Sequence, residues 1–500
     1  MPRRCNLTLK RLDLADDRVS FFRFGEVGSR MVVTTDAGAW HMLERGEFED
    51  LVEGRIDSAH PLHEVLSTKG FLRDGLSIED QAERLGRKKR HVGQGPHLHI
   101  AIVTLRCNQS CKYCHASRAS MSQTETDMTI ETAKKVVDHA MQSPSPYINF
   151  EFQGGEPLLN MPVVKFIVEY SREKNRLENK DLEHSVVTNL TAMTEEIADW
   201  LVDNDVLVCT SLDGPADLHN DNRPWKRSED AYAEVRKWMD FINQRYAQQG
   251  RDPQQWHVDA LMTTSRKTFD RWKDVVDLYV ELGIHTIHLR PLNVYGFALE
   301  TWEQIGYSVD EYLAFYERAL DYIIELNRQG TEIVEGTAAV FLMKMLTEDD
   351  PNFVDILSPC GAGTGQVAYN YDGKLFTCDE ARMAAAMGDD MFGLGEAGSI
   401  SFAEMMDHPT VRTLALASHL DSLPGCESCW NAPFCGVCPL HTYMTTGDLF
   451  GQRYVSAKCK EYMSIVEMLL QRLADDSDGS VEAIFKKWTL RRPREPRTGC

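Results

Sequence analysis

Three cysteines, Cys107, Cys111 and Cys114, sit close together in the segment CNQSCKYC, directly after an apolar, β-branched run. Soft thiolates suit an iron–sulfur cluster or zinc, and a loop so spaced can wrap three sulfurs around one cube of iron and sulfide. A structural zinc ion wants four closed ligands, usually on paired arms, and His115 is the neighbour that would supply the fourth. Three thiolates without a paired arm leave one metal position open, which a cluster needs if it must bind and reduce a substrate. Spacing alone leaves both readings standing. After residue 350 come Cys360, Cys378, Cys426, Cys429, Cys435, Cys438 and Cys459, whose CxxC arms would suit zinc knuckles as well as clusters. Thirteen cysteines is an odd number for a closed disulfide framework, and in a reducing compartment such groups read as metal ligands. Cys5, Cys209 and Cys500 stand alone, and Cys209, inside VLVCTSL, reads as a small buried hydrophobe.

The elements that must position these residues are strands and helices in alternation. Apolar runs occur at LHIAIVTL, YINFEFQGG, EHSVVTNL, VLVCTSLDG, HVDALMTT and TIHLRPL, with helical patterns between them. Six buried strands with intervening helices imply a parallel sheet, either doubly wound or a barrel, with chemistry at the carboxyl ends of the strands. Before this unit, FFRFGEVGSRMVVTTDAGAWHML alternates as a hairpin does, two short helical patterns follow, and the basic stretch GRKKRHVGQG reads as a linker. The tail carries the helical pattern MSIVEMLLQRLAD and ends in RRPREPR, expected to be a solvated, mobile end.

Composition narrows the function classes. The net charge is −22 over 500 residues, which argues against nucleic acid or an anionic membrane as the main partner. No stretch reaches the length of a membrane span, and the basic start lacks the apolar core of a secretory signal. A cytoplasmic enzyme is the expectation.

With these residues in view, CNQSCKYC resembles the CxxxCxφC motif of the radical S-adenosylmethionine (SAM) superfamily, with Tyr113 as the aromatic residue. The resemblance implies a partial (β/α)6 barrel in an α/β fold. It also implies a four-iron four-sulfur cluster on Cys107, Cys111 and Cys114, with SAM on the open iron. Reductive cleavage would then give a 5′-deoxyadenosyl radical that removes a substrate hydrogen. GGEPL at Gly154, Gly155 and Glu156 matches the motif that contacts the SAM amino group, and glycine lets backbone approach a ligand closely. SLDGP, with Ser211 and Asp213, and the later Arg223 match a motif of the peptide-modifying branch that helps hold SAM. Asn189 stands where that branch has TNG, with Leu190 in place of the glycine.

The downstream cysteines resemble the SPASM extension of peptide maturases, which carries two auxiliary four-iron four-sulfur clusters. Its interleaved pattern implies Cys426, Cys429, Cys435 and Cys459 on the outer cluster. Cys360, Cys378 and Cys438 would hold the inner one, with a fourth ligand missing or supplied by another group or the substrate. CGVC is one residue shorter than the usual spacing at that point, which bears on the geometry of one cluster. Asp379 stands where sulfatase-maturing relatives carry a proton acceptor; a plain capping aspartate is the bland alternative.

EFQGGEPLLN, LRPLNVYGFA and VAYNYDGKLFTCDEARMAAAMGDD are most similar to the B-type maturase of the His-Xaa-Ser peptide system. That implies a ribosomally made precursor peptide as substrate, a second radical SAM maturase as partner, and a flavodoxin- or ferredoxin-type electron donor. The domain reading is 1–95 as an N-terminal α+β unit resembling winged-helix leader-peptide binders, 96–349 as the barrel, 350–465 as the SPASM domain and 466–500 as a C-terminal helix and tail. Two rivals remain: a sulfatase-type maturase making formylglycine, and a non-catalytic electron-transfer or precursor-binding partner.

Overall fold

The computed structural model describes residues 18–490 apart from Leu76 and Asn352. The basic start, Cys5, Cys500 and the RRPREPR tail lie outside the described residues.

The chain forms a three-stranded antiparallel meander of β1 (Arg23–Val27), β2 (Arg30–Thr34) and β3 (Trp40–Leu43). The expected hairpin thus gains a third strand. Alternation turns Met31, Val33 and Leu43 inward, where with Phe48, Leu51, Leu66 and Phe71 they build a small core of their own. The stretch read as a linker is partly helical. Helix Ile78–Lys88 opens on a Ser77–Asp80 capping box and ends with Arg87 and Lys88 in its last turn, a charge order that suits the helix dipole. Lys88 then donates to the carbonyls of Lys344 and Thr347, so the segment is docked on the fold.

The main sheet runs β4 (Leu98–Thr104), β5 (Tyr147–Gly154), β6 (Asp181–Thr188), β7 (Val206–Ser211) and β8 (Asp259–Leu261), all parallel and adjacent in that order. Helices Ile130–Ala140, Met161–Glu178, Glu195–Asp203 and Ala231–Gln248 follow the strands as the amphipathic patterns predict. Phe150 and Phe152 of β5 are fully buried among residues such as Val136, Val164 and Ile167 from those helices. The sixth apolar run departs from expectation. It forms only β9 (Thr286–Ile287), which pairs in parallel with β10 (Val334–Glu335) outside the main sheet. On the other side, β11 (Gln366–Tyr369) joins β4 in parallel, and β12 (Lys374–Phe376) and β13 (Gly393–Glu396) continue antiparallel. One sheet therefore carries the cysteine-rich region directly beside the strand that leads into Cys107. The fold is α/β, an open, mostly parallel sheet followed by that cysteine-rich region.

β4 and β11 are buried on both faces, as expected of a covered parallel sheet, but β5 and β7 are not. In β5, Ile148, Phe150 and Phe152 are buried while Asn149, Glu151 and Gln153 are half-exposed, and β7 alternates likewise. The face carrying Glu151, Gln153 and Ser211 is half-buried, and burial raises the Glu151 carboxyl. Cys209 lies on it, half-buried, and burial raises its thiol well above the usual range.

Candidate functional site

The cysteine loop leaves the carboxyl end of β4 under tight control. Arg106 donates through Nε and Nη2 to the Asp127 carboxylate at 2.8 and 2.6 Å, and the Thr104 hydroxyl donates to the same carboxylate at 2.6 Å. The motif at the end of β5 grips the same point: Gly155 N–H donates to Thr104 O and Glu156 N–H to Arg106 O, at 2.9 and 2.8 Å. A Cβ on Gly154 would stand 2.0 Å from Thr104 O, and one on Gly155 2.3 Å from the carbonyls of Leu105 and Arg106. Both glycines are thus required by backbone packed on backbone at the root of the loop. Further along, Ser110 N–H donates to Pro224 O at 2.8 Å and Lys112 N–H to Asn222 O at 3.0 Å. Cys114 O accepts from Phe297 N–H at 2.9 Å, and Gly296 (φ +55°) leaves no room for a side chain beside it.

Inside this frame the thiols of Cys107, Cys111 and Cys114 lie within electrostatic reach of one another. Burial pushes the Cys107 thiol well up and the Cys111 thiol up to about 11. Neutral buried thiols resist ionising, and a bound cationic centre reverses that preference. His115, the candidate fourth zinc ligand, is governed by burial and by charges other than the thiols. Burial lowers it to about 4, and its charged surroundings are Asp379 with the guanidiniums of Arg290, Arg382 and Arg223.

Tyr113, Asp213 and Arg223 form one buried network. Tyr113 donates its phenol proton to Asp213, Arg223 donates to both carboxylate oxygens at 3.0 and 3.2 Å, and Thr263 N–H adds a fourth bond at 3.2 Å. A carboxylate offers about four acceptor positions, so the protein fills those of Asp213. The Arg223 guanidinium lies 5.0 Å over the Tyr113 ring and its Nη1 is 4.0 Å from Cys111 Sγ. Glu156 is fully buried and accepts from the Thr188 hydroxyl at 2.7 Å, Asn189 N–H at 2.8 Å and Leu158 N–H at 3.1 Å. Burial outweighs these bonds and raises its carboxyl to about 7. Asn189 Nδ2 reaches Asn108 Oδ1 at 3.1 Å and Cys107 Sγ at 3.8 Å. Leu190, at the glycine position of the motif, holds φ +58° with its side chain buried. Ser211 ends β7 at the half-buried face. The expected residues thus come together around the loop, from four different strand ends.

The later cysteines form two further groups. Burial raises the Cys435 thiol, with smaller contributions from the thiols of Cys429, Cys459 and Cys426, and these four line one cavity of about 70 Å³ together with Cys438. Cys360, Cys378 and Cys438 are mutual neighbours, all held well above their usual range by burial. Among the described residues, no three His, Cys, Asp or Glu side chains converge tightly enough to hold a single metal ion. A cube with iron at each corner takes its ligands further apart than one ion does.

Residues 101–243 match the Radical SAM superfamily. A cysteine-type anaerobic sulfatase-maturating enzyme of Clostridium perfringens is 30% identical over 283 residues, 55% of this chain and 71% of that protein. The chain belongs to the radical SAM superfamily. Two solved structures share its fold. One is anSMEcpe with bound AdoMet and the Kp18Cys peptide (TM-score 0.63, 20% identity, 76% of this chain and 99% of that one). The other is Streptococcus suis SuiB bound to precursor peptide SuiA (TM-score 0.53, 13% identity, 88% and 99%).

Membership of the superfamily implies SAM and a four-iron four-sulfur cluster. The donor chemistry fits: three clustered thiols of a soft type are present, and the loop that carries them is clamped on both sides. Asp379 is the first residue of helix Asp379–Ala386, buried, and paired with Arg382 at 2.8 Å; Cys378, not Asp379, occupies the capping position. The polar row of β5 was missed from the sequence, although Asn149, Glu151 and Gln153 alternate there with Ile148, Phe150 and Phe152. No helix among the described residues is long and apolar enough to cross a membrane.

Proposed function

We propose that this radical SAM protein modifies a ribosomally made precursor peptide, within a system of the His-Xaa-Ser type. The observation that carries the reading is the half-buried trio Cys107, Cys111 and Cys114, held from both sides by backbone bonds. A cluster held by these thiols, together with SAM, would supply one-electron reductive chemistry able to activate a substrate C–H bond. The chain's own part is to keep three thiolates in place and to exclude water. Glu156 braces the loop root against Thr188 and Asn189 and keeps roughly one acceptor position for an ammonium. Asp213 acts through Tyr113 and Arg223 as a positioning residue, while Asn189, Ser211 and the Gly154–Gly155 backbone border the SAM site. The peptide enters over the half-buried face of β5 and β7, toward Glu151, with Asp379 as the candidate proton acceptor.

The remaining cysteines are assigned to two auxiliary clusters, Cys426, Cys429, Cys435 and Cys459 on the outer and Cys360, Cys378 and Cys438 on the inner, forming a SPASM domain over 350–465. Residues 96–349 are the barrel and 466–500 the C-terminal helix and tail. Residues 1–95 are assigned to precursor recognition. A cavity of about 460 Å³ between the β2–β3 turn, helix Ile78–Lys88 and the end of helix Gly336–Leu346 supports this, lined by Lys69 and Arg84 beside Ile78 and Leu85. An extended peptide fits such a place beside a sheet edge. A second radical SAM maturase and a flavodoxin- or ferredoxin-type donor complete the proposed partners.

The test is anaerobic reconstitution followed by SAM cleavage and mass spectrometry of a co-expressed precursor. The Cys107→Ala, Cys111→Ala, Cys114→Ala variant should lose all SAM cleavage; a variant that still cleaves SAM removes the loop from the mechanism. Identity to a cysteine-type sulfatase maturase favours a second reading, formylglycine formation. Conversion of a CxPxR or SxPxR peptide would select it.

A further inference from the structure

The inner group of cysteines lacks a fourth thiol, and the polar groups around it are poorly satisfied. Tyr295 is 1% exposed, its hydroxyl has no hydrogen-bond partner, and the groups it faces are Cys438, Glu380, Cys378 and Asp355. Buried hydroxyls are normally bonded, so a donor left open against thiols and carboxylates marks room for an acceptor-rich group such as a cluster sulfide. Two carboxylates border the same chamber. Asp355 adjoins Cys360 and Cys438, and its own charged neighbours include Lys458 and Arg290, which offset its charge. Glu380 differs. It lies two residues after Cys378 and is within electrostatic reach of Cys378, Cys360 and Cys438. The charged residues beside it, Asp355 and Asp379, are acids. A half-buried carboxylate set among acids and thiols is costly unless a cation joins it, and an iron corner is such a cation.

We propose that Glu380 is the fourth ligand of the inner auxiliary cluster, giving it three thiolates and one carboxylate. The inference rests on the reading of Cys360, Cys378 and Cys438 as ligands to that cluster. Position supports it: Cys378 caps helix Asp379–Ala386 and Glu380 sits in the first turn, so the two side chains are delivered by one rigid element. The harder oxygen ligand holds its iron less firmly than thiolate would, yet closes the position against substrate.

The test uses the full chain with Cys107, Cys111 and Cys114 changed to Ala, so that the SAM-site cluster, whose own iron is open, adds no signal. After anaerobic reconstitution and mild oxidation with ferricyanide, this parent should keep its iron and show no three-iron signal by electron paramagnetic resonance. Glu380→Ala should lose about one iron per chain as that signal appears, and Glu380→Cys should restore the parent's behaviour. If Glu380→Ala is insoluble, Glu380→Gln, which keeps the shape, is read in the same way. Unchanged iron and no signal in the Ala or Gln variant overturn the ligand, as does a three-iron signal already present in the parent. A parent that binds iron for fewer than two clusters overturns the auxiliary-cluster reading itself, and is told apart by iron content before oxidation.

Discussion

Asp213→Asn is the sharpest perturbation of the site's frame. The Asp213 side chain is fully buried and that of Arg223 is 9% exposed, so the substitution leaves a guanidinium without its counter-charge in a water-poor place. Asn offers one acceptor oxygen in place of two, and its amide nitrogen must face either Tyr113 O–H or Arg223 N–H, both donors. Breaking one side of a buried ion pair costs about 3–5 kcal/mol. Much of that cost falls on the cysteine loop, because Arg223 stacks on Tyr113 and reaches Cys111. Urea unfolding of the cluster-free chain, followed by tryptophan fluorescence, should show that loss, and iron bound after reconstitution should fall with it. Removing both charges, as Asp213→Leu with Arg223→Met, should cost less than Asp213→Asn alone, since paired apolar replacements of a buried ion pair are often near neutral. A single variant within about 0.5 kcal/mol of the parent and with equal iron would falsify the network's role, since shifts of that size are those of ordinary surface changes.

Three other outcomes follow from the same geometry. Gly155→Ala puts a methyl 2.3 Å from two carbonyls at the loop root, so iron content and SAM cleavage should fall together while the far-ultraviolet circular dichroism is kept. Leu190→Gly relieves a left-handed residue worth about 1–2 kcal/mol but empties a buried side-chain site worth about 3–5 kcal/mol, so thermal melting should show net loss. Glu156→Gln tests the raised carboxyl. Its folded value, about 7, lies above the ordinary 4.5, so the folded chain holds that proton more tightly. The associated stability is complete below about 4.5 and is lost as pH rises through about 7, by up to about 3 kcal/mol. Gln cannot ionise, and the cluster-free variant should lose that slope between those limits.

What the sequence made legible was what short spacing encodes. The Cys107–Cys114 triplet, the five strands from β4 to β8 and most of their helices follow from local pattern. The roles inside the site were less legible, because they arise between residues about a hundred positions apart. Gly154 and Gly155 read as room for a ligand, whereas their nearest constraint is the backbone of Thr104, Leu105 and Arg106. Asp213 read as a ligand contact, yet Tyr113, Arg223 and Thr263 occupy its acceptors. The sixth strand was overestimated because TIHLRPL has the right composition for a strand, while only Thr286 and Ile287 find a partner, in β10.

These differences share one direction. Motif residues that look like independent contacts to a cofactor are first of all contacts to one another. Thr104, Arg106, Gly155 and Glu156 bind the start of the loop, while Asn222, Pro224 and Phe297 bind its middle and end. A loop held this way keeps three thiols at one place before any metal arrives, so the ordering cost of assembling a cluster falls largely on folding, not on binding. The same logic separates the two ends of the sheet. At β5 the half-buried face carries Asn149, Glu151 and Gln153, and at β4 and β11 the two cysteine-bearing segments are tied into one ladder. The β4–β11 pairing thus fixes the cysteine loop against the region of Cys360 and Cys378, a backbone feature that no cysteine count reveals.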